Sequence, residues 1–223
     1  MKTKTALIVG ASGLVGGQCL DLLLEDDAYR RVNVVVRRPL PLTHPKINQH
    51  IVDFGRLQQH SDILDADHVF CCLGTTIRSA GSKEAFHKVD FTYVVQTAAL
   101  ASRNGAQQFL VVSSLGANPA SRSFYLRVKG EMEDALRKLS FSSIRIFRPS
   151  LLLGNRPEFR VGEWVGGIAM RAVSIAMVGN LKRYRAIEAR TVAQAMVGSA
   201  KSSVTGVHVY ESEQIQELGN KGI

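Results

Sequence analysis

The sequence is poor in the residues that mark disulfide-rich, metal-binding or membrane-spanning proteins. Its three cysteines, Cys19, Cys71 and Cys72, match no disulfide or zinc spacing, and its six histidines show no metal-ligand spacing. Neighbouring residues of a strand point to opposite faces, so Cys71 and Cys72 are poorly placed to pair. No apolar run reaches the roughly 18 residues that cross a bilayer. We therefore expect a cytoplasmic protein in a reducing compartment, without a metal, a signal peptide or a membrane segment.

Acidic residues are also scarce relative to basic ones, 19 against 28, which gives a formal net charge of +9. Such an excess is typical of proteins with a polyanionic partner, either nucleic acid or a phosphate-bearing cofactor. Dispersed surface charge produces the same excess. The basic residues form no long block and are not interleaved with aromatic residues, so we favour dispersed charge and expect no nucleic-acid partner.

Apolar strand-like runs, by contrast, are frequent and alternate with helical patterns. The 223 residues, 45% hydrophobic, predict one compact domain. Several runs are apolar throughout, as expected of parallel strands that helices bury on both faces. The order predicts an α/β fold with a doubly wound parallel sheet, the Rossmann architecture. The predicted strands are Thr5–Val9, Val32–Val36, a weaker one that ends in HIVDF, His68–Gly74, Phe109–Ser114 and Ser143–Phe147.

Helices are predicted between these strands, over Leu14–Glu25, Ser82–Asn104 and Ser123–Leu139. The rhythm changes after Pro149. We interpret residues 1–223 as a single domain in which residues 150–223 form a small substrate-side lobe. The elements predicted for this lobe are helices over Val165–Val178 and Thr191–Lys201 and a late strand with the sequence GVHVY.

The stretch GASGLVG, from Gly10 to Gly16, follows the first strand and opens the first helix. Gly10 permits a tight turn, Gly13 lets the backbone approach a pyrophosphate, and Gly16 lets helix and strand pack closely. Ser12 adds a hydroxyl, and the helix N-terminus adds partial positive charge. A turn that merely tolerates glycine is the alternative, but three glycines in a strand–helix context favour a dinucleotide site.

The end of the second strand indicates which dinucleotide binds. A cofactor without a 2′-phosphate is usually held by an acidic residue at this point, about 20 positions beyond the glycines. Here the chain reads VVVRRP, with Arg37 and Arg38 and no acid. Two guanidinium groups suit a phosphate, so we predict NADP(H). A basic surface turn is the alternative.

A tyrosine and a lysine in YLRVK lie four residues apart on a predicted helix. Tyr125 and Lys129 therefore share one helix face, and the ammonium would stabilise a phenolate for general acid–base catalysis. The preceding strand ends in Ser113 and Ser114, at the edge where open α/β sheets bind ligands. Ser113 is placed to orient a carbonyl oxygen. The structural alternative is a capping serine, a packed tyrosine and a solvated lysine.

These motifs together resemble one protein family over essentially the whole chain. GASGLVG, VSSLGA, YLRVKGEME and FRPSLLLG are similar to motifs of atypical short-chain dehydrogenases/reductases. The most similar subgroup is the Tat-interacting-protein oxidoreductase-like one. Its further motifs correspond here to CLGTT at Cys72–Thr76, RR at Arg37–Arg38 and GEW at Gly162–Trp164.

The resemblance implies an NADPH-dependent oxidoreductase that reduces the carbonyl of a small molecule. Tyr125 would exchange the proton and Lys129 would bind the nicotinamide ribose. The fourth and fifth helices of related folds often form a homodimer interface. The cofactor residues that the resemblance implies are Ser12, Gly13, Leu14 and Val15 at the phosphates, Arg37 and Arg38 at the adenosine phosphate, Asp53 at the adenine, Leu73 and Gly74 from the fourth strand, and Leu152 and Arg160.

One residue departs from the pattern of extended short-chain reductases, which usually carry asparagine where this chain has Asp90. That asparagine helps to hold the catalytic helix and a relay water. The subgroup also includes proteins better known as regulators than as enzymes. The alternative function is therefore an NADPH-binding regulatory protein that senses the dinucleotide and acts through a protein partner.

Overall fold

A computed structural model describes residues 3–154 and 185–221 of the chain, and a parallel β-sheet forms its centre. The strands are β1 (Lys4–Val9), β2 (Tyr29–Val36), β3 (Ile47–Ile51), β4 (His68–Cys71), β5 (Gln108–Val112), β6 (Ser143–Arg148), β7 (Leu152–Leu153), β8 (Ile187–Glu188) and β9 (Gly206–Glu211). Seven of them form one parallel sheet in the order β3-β2-β1-β4-β5-β6-β9. β7 and β8 pair separately.

Helices connect these strands on both faces of the sheet. The α-helices are α1 (Leu14–Glu25), α2 (Ile77–Ala80), α3 (Lys83–His87), α4 (Tyr93–Arg103), α5 (Phe124–Leu136), α6 (Ala189–Ala200) and α7 (Ser212–Asn220). A 3₁₀ segment covers Phe54–Leu64, and a π-helical turn covers Lys88–Thr92 between α3 and α4.

Alternate residues of β1 show how the sheet is buried on both faces. Ala6 and Ile8 belong to an apolar cluster that includes residues of α1 and α6. Leu7 and Val9 belong to a second cluster, with residues of the 3₁₀ segment, α4 and α5. All four side chains are fully buried. This two-sided burial explains why the strands are apolar throughout, and the predicted doubly wound α/β fold is confirmed.

The strand order reverses between β1 and β4, which lie side by side at the centre of the sheet. One half of the sheet is wound outwards from β1 to β3, and the other from β4 to β6. In open α/β sheets, ligands bind in the crevice at the carboxyl ends of the strands where this reversal occurs. A ligand site is therefore expected at the loops after β1 and β4.

The helix predicted over Ser82–Asn104 is divided into three pieces. α3 leads into the π-helical turn, and α4 follows it. Asp90, in the middle of the π turn, is fully buried. A π turn has no compositional signal of its own, so helical periodicity predicts one continuous helix here. Such turns occur frequently at functional sites.

Three helical elements have no counterpart among the sequence predictions. The 3₁₀ segment FGRLQQHSDIL is interrupted by non-helical residues at Arg56 and His60, so it carries no helical period. α2 has only four residues. α7 is short and mostly polar, and it begins with a capping box between Glu211 and Gln214 that was not predicted.

The described residues after 185 are joined to the central sheet. β9 pairs with β6, and α6 packs against α1, where the Cys19 thiol lies 4.0 Å from the Ala193 carbonyl. Residues 155–184 lie outside the described residues, and the helix predicted over Val165–Val178 falls among them. The substrate-side lobe stays a prediction for this part of the chain.

A buried ion pair fixes α5 to the end of β6. Glu133, 1% exposed, accepts two hydrogen bonds from Arg148, at 2.9 Å from Nε and 2.6 Å from Nη2. The Ser113 hydroxyl, which follows β5, donates to the same carboxylate at 2.6 Å. Hydrogen bonding to Glu133 raises the pKa of Arg148. Two strand ends and one helix are therefore joined through one carboxylate.

We expect Glu133→Gln to lower the free energy of unfolding by roughly 3 kcal/mol, because it strands a partly buried guanidinium. Urea denaturation followed by circular dichroism measures this change. Asp134→Asn is the matched control, since Asp134 is on the same helix with 53% of its side chain exposed. Equal effects of the two substitutions would contradict the role given to the buried pair.

Candidate functional site

The turn after β1 brings the backbones of two strand ends into contact. Gly10 has a φ of +82°, a left-handed conformation that favours glycine. A Cβ atom on Gly10 would lie 2.6 Å from the carbonyl carbon of Cys72, which follows β4. A Cβ atom on Gly16 would overlap the Gly10 carbonyl. Close packing of backbone against backbone therefore requires glycine at both positions.

The first turn of α1 presents backbone amides at the carboxyl edge of the sheet. The Gly13 amide donates to the Gly10 carbonyl at 2.9 Å. In the part of the chain that the structure describes, the amides of Leu14, Val15 and Gly16 form no hydrogen bond, and the first turn holds no acidic residue. Such a helix end carries partial positive charge and suits a phosphate group. The turn fits the pyrophosphate of a dinucleotide.

Arg37 and Arg38 follow β2 at the same edge as the glycine turn. The pairing of Val35 with Val9 places the end of β2 beside the end of β1. Both arginines are exposed, and neither forms an ion pair among residues 3–154 and 185–221. Two exposed guanidinium groups therefore lie at the same edge of the sheet as the glycine turn.

Two of the other predicted cofactor residues border the same edge of the sheet. Ser12 is exposed at the tip of the glycine turn. Asp53 is exposed after β3, and its carboxylate accepts a hydrogen bond from the Gly55 amide at 2.9 Å. Its visible role is thus to cap the 3₁₀ segment.

Leu152 lies in β7, and its half-buried side chain packs against the apolar cluster that includes α1. Gly154, two residues on, is close to α1 as well: a Cβ atom there would lie 2.7 Å from Cδ1 of Leu14. The segment after β6 therefore borders the glycine turn. Arg160 lies outside the described residues.

The loop after β4 connects the glycine turn to the predicted catalytic helix. The Cys72 amide donates to the Val9 carbonyl at 2.9 Å, which extends the contact between the two strands. Leu73 is half-buried and Gly74 is exposed. A Cβ atom on Gly74 would lie 3.5 Å from Oδ1 of Asp90 and 3.8 Å from Nζ of Lys129. Gly74 thus leaves the ammonium of α5 beside the loop.

Lys129 is paired with Asp90 inside the protein. Its Nζ lies 2.8 Å from Oδ1 of Asp90, with 3% of the Lys129 side chain exposed and none of the Asp90 side chain. The other carboxylate oxygen accepts a hydrogen bond from the Thr75 amide at 2.9 Å. Burial lowers the pKa of Lys129, but attraction by the Asp90 carboxylate and by Tyr125 outweighs it, so the pKa is raised. Lys129 is therefore a charged ammonium held in place.

Tyr125 lies one helical turn before Lys129, at the start of α5. Residues four apart share one face of a helix, as the sequence predicted for this pair. The Tyr125 side chain is half-buried, and its ring centroid lies 5.4 Å from that of Phe86, which is fully buried. Phe86 therefore supports the ring on the side of α3.

The two serines after β5 have different surroundings. Ser113 is 4% exposed, and its hydroxyl is engaged by Glu133. Ser114 is half-buried, and within residues 3–154 and 185–221 its hydroxyl makes one long contact, 3.4 Å to the Leu115 carbonyl. The structure therefore places Ser113 inside the ion-pair network and Ser114 at the carboxyl edge of the sheet.

Other kinds of chemistry find little support in the described residues. Burial raises the pKa of the Cys71 thiol to about 12, which disfavours a thiolate nucleophile. Residues 3–154 and 185–221 contain no group of three or more histidine, cysteine, aspartate or glutamate side chains that could hold a metal ion. In the same part of the chain, no helix has the length and apolar character needed to span a membrane.

The sheet order, the glycine turn and the free first turn of α1 together are the features of a dinucleotide-binding α/β protein. A family model described as NAD(P)H-binding matches residues 10–203. Protein HTATIP2 of Rattus norvegicus is 35% identical over 224 residues, 98% of this chain and 90% of the rat protein. The chain belongs to the NAD(P)H-binding family. The match to HTATIP2 agrees with the resemblance to the Tat-interacting-protein subgroup that the motifs predict.

Solved structures show the same fold at low sequence identity. MoeE5 in complex with UDP-glucose and NAD has a TM-score of 0.70 and 17% identity, over 97% of this chain and 81% of MoeE5. The Bordetella bronchiseptica enzyme WbmH in complex with NAD⁺ has a TM-score of 0.72 and 16% identity, over 98% of this chain and 80% of WbmH.

A fungal relative corrects the predicted location. Protein FMP52-1, mitochondrial, of Scheffersomyces stipitis is 31% identical over 97% of this chain and 99% of the fungal protein. Relatives from Candida albicans and Coccidioides immitis are also named mitochondrial. The prediction of a cytoplasmic protein is therefore wrong. Unpaired cysteines indicate a reducing environment, and this property does not single out the cytosol.

Several residues around the site carry no signal that a single sequence reveals. Thr75 contributes a backbone amide, and Phe86 contributes a ring from a helix that was predicted as part of a longer one. Glu133 and Arg148 stand 15 residues apart, so only the folded sheet shows that they meet. Glu133 follows Lys129 by four residues, and this spacing predicts that it lies on the helix face that Tyr125 and Lys129 share.

We expect Gly16→Ala to abolish dinucleotide binding, because its methyl group would overlap the Gly10 carbonyl and displace the turn. Quenching of protein fluorescence on titration with NADPH measures the affinity. Gly17→Ala is the matched control, since its Cβ atom would make an ordinary contact of 3.5 Å with the Ala11 carbonyl. If the Gly16 variant bound as tightly as the Gly17 variant, the close packing of this turn would not be needed for binding.

Proposed function

We propose that the protein is an NADPH-dependent reductase that acts on the carbonyl group of a small molecule. The observation that carries this proposal is the position of Lys129. Its buried ammonium lies beside the Gly74 loop, at the same edge of the sheet as the glycine turn. Tyr125 lies in the first turn of the same helix, four residues before Lys129. A proton donor and a fixed cation therefore adjoin a dinucleotide cradle.

The residues that would hold the dinucleotide are distributed over the crevice between β1 and β4. The amides at the start of α1 and the Ser12 hydroxyl would bind the pyrophosphate. Arg37 and Arg38 would bind the 2′-phosphate, because guanidinium groups form strong charge-assisted hydrogen bonds with it. The further residues assigned to the dinucleotide are Gly10, Gly13, Gly16, Asp53, Leu73, Gly74, Leu152 and Arg160.

The reaction needs a proton as well as a hydride. A bound dinucleotide would be the source of the hydride for the carbonyl carbon. Tyr125 donates its hydroxyl proton to the carbonyl oxygen, and water returns a proton to the phenolate. Lys129 stabilises the phenolate through its charge and binds the ribose beside it.

A serine hydroxyl would hold the carbonyl oxygen during this transfer. Ser113 was predicted for this role, but its donor is directed to Glu133 at 2.6 Å. Ser114 keeps a hydroxyl without a strong partner among the described residues. We therefore assign the carbonyl oxygen to Ser114 and the support of α5 to Ser113.

We expect Arg37→Ala and Arg38→Ala each to weaken NADPH binding about tenfold or more, because each removes hydrogen bonds to a charged phosphate. NADH, which lacks the 2′-phosphate, should bind the variants and the wild type alike. Fluorescence titration with both dinucleotides measures the ratio. Arg103→Ala, an exposed arginine at the end of α4, is the control. A parallel loss of NADH affinity would overturn the assignment of the arginines to the 2′-phosphate.

Turnover of a panel of aldehydes and ketones tests the reaction itself. We expect Tyr125→Phe to abolish NADPH oxidation while binding stays intact, and Ser114→Ala to lower kcat/KM about 100-fold. Ser113→Ala should have the smaller effect on kcat/KM and should lower stability instead, because Glu133 loses a donor. If Ser113→Ala lowered kcat/KM more than Ser114→Ala did, the carbonyl oxygen would be assigned to Ser113 instead. Binding of NADPH without turnover of any carbonyl would favour the regulatory alternative.

A further inference from the structure

We propose that Asp90 is a positioning residue of this site, whose carboxylate keeps the Lys129 ammonium charged and fixed beside Gly74. The inference rests on the proposed function for the use of that ammonium, which would meet a ribose there. Its test uses dinucleotide affinity and protein stability, so it does not require that a substrate be known.

The geometry gives Asp90 two contacts with parts of the site. One carboxylate oxygen lies 2.8 Å from Nζ of Lys129, on α5. The other accepts the Thr75 amide at 2.9 Å, in the loop after β4. Asp90 comes from a third element, the π turn, and is fully buried. It therefore couples the loop that lines the crevice to the helix that carries the ammonium.

Because Lys129 is buried, its ammonium needs the negative charge of the Asp90 carboxylate to stay protonated. An isolated ammonium that loses nearly all its contact with water favours the neutral amine. The titratable groups that act on Lys129 are Asp90 from the π turn, Tyr125 from α5 and Cys71 from β4. Burial raises the pKa of Cys71 to about 12, so its thiol stays neutral near pH 7. Asp90 thus supplies the compensating negative charge.

An amide in place of the carboxylate would keep the shape and lose the charge. Asparagine at position 90 can still accept the Thr75 amide through its side-chain oxygen. The amide has no negative charge to compensate the ammonium, so burial would lower the pKa of Lys129 without opposition. The substitution Asp90→Asn therefore separates the electrostatic role of this residue from its role in holding the loop.

Dinucleotide affinity as a function of pH gives the first readout. In the wild type the raised pKa keeps Lys129 charged, so affinity should show no loss from this residue up to about pH 9.5. In Asp90→Asn, NADPH affinity relative to the wild type should be nearly normal at pH 6.5. It should fall about tenfold by pH 9.5, as the amine loses its proton. Asp134→Asn removes an exposed carboxylate on α5, the helix of Lys129, and its NADPH affinity should have the pH dependence of the wild type.

Thermal unfolding gives a second readout with the opposite pH dependence. In the variant, the folded-state pKa of Lys129 falls below the unfolded value of about 10.4, so the folded state is penalised while the amine is charged. The loss of Tm relative to the wild type should therefore be greatest at pH 6.5 and shrink as the pH rises. Asp90→Asn combined with Lys129→Met removes both charges and should abolish this pH dependence.

Losses of affinity and of Tm that do not vary with pH would overturn the proposal, because a purely steric role predicts them. If Asp90→Asn alone does not fold, recovery of folding in the double variant would identify the stranded ammonium as the cause. Equal failure of both variants would count against the proposal. A lack of carbonyl turnover in the wild type would remove the proposed reaction but would leave both of these measurements intact.

Discussion

The contact between two strand ends at Gly10 is the constraint on which the rest of the site depends. No side chain separates the turn after β1 from the backbone of Cys72 after β4, since a Cβ atom would leave only 2.6 Å. The same turn receives the start of α1 at Gly16. Because these three pieces of backbone meet, the free amides of α1 and the Gly74 loop face one crevice. The location of the site is thus set by backbone packing.

The end of the crevice beside α5 depends on a different principle, the pairing of buried charges. Lys129 and Glu133 follow each other on one face of α5, and each is compensated by a residue from another element, Asp90 and Arg148. A buried charge without a partner is strongly destabilising, so these pairs favour one position of the helix over others. Tyr125 is carried on the same helix. The position of Tyr125 is therefore determined by the ion pairs of Lys129 and Glu133, one and two helical turns further along α5.

The sequence predicts the fold well because the fold depends on local signals. Buried parallel strands are apolar throughout, and the first helix, predicted over Leu14–Glu25, has those bounds in the structure. The π turn around Asp90 was missed, because such a turn has no compositional signal of its own and the run around it keeps a helical period. The choice between neighbouring serines after β5 also depends on a partner, Glu133, that lies 20 residues away.

The distribution of charge along the crevice differs between its two ends. Arg37 and Arg38 are exposed and carry charge that no carboxylate among the described residues neutralises. Lys129, at the other end, forms a neutral pair with Asp90. A phosphate-rich ligand is therefore attracted over a distance mainly by the end near β2, within the roughly 8–10 Å over which salt leaves such attraction effective. The ammonium beside Gly74 acts only at contact distance. For the dinucleotide proposed above, the long-range field would therefore favour entry from the end near β2, and the buried pair would fix the geometry after arrival.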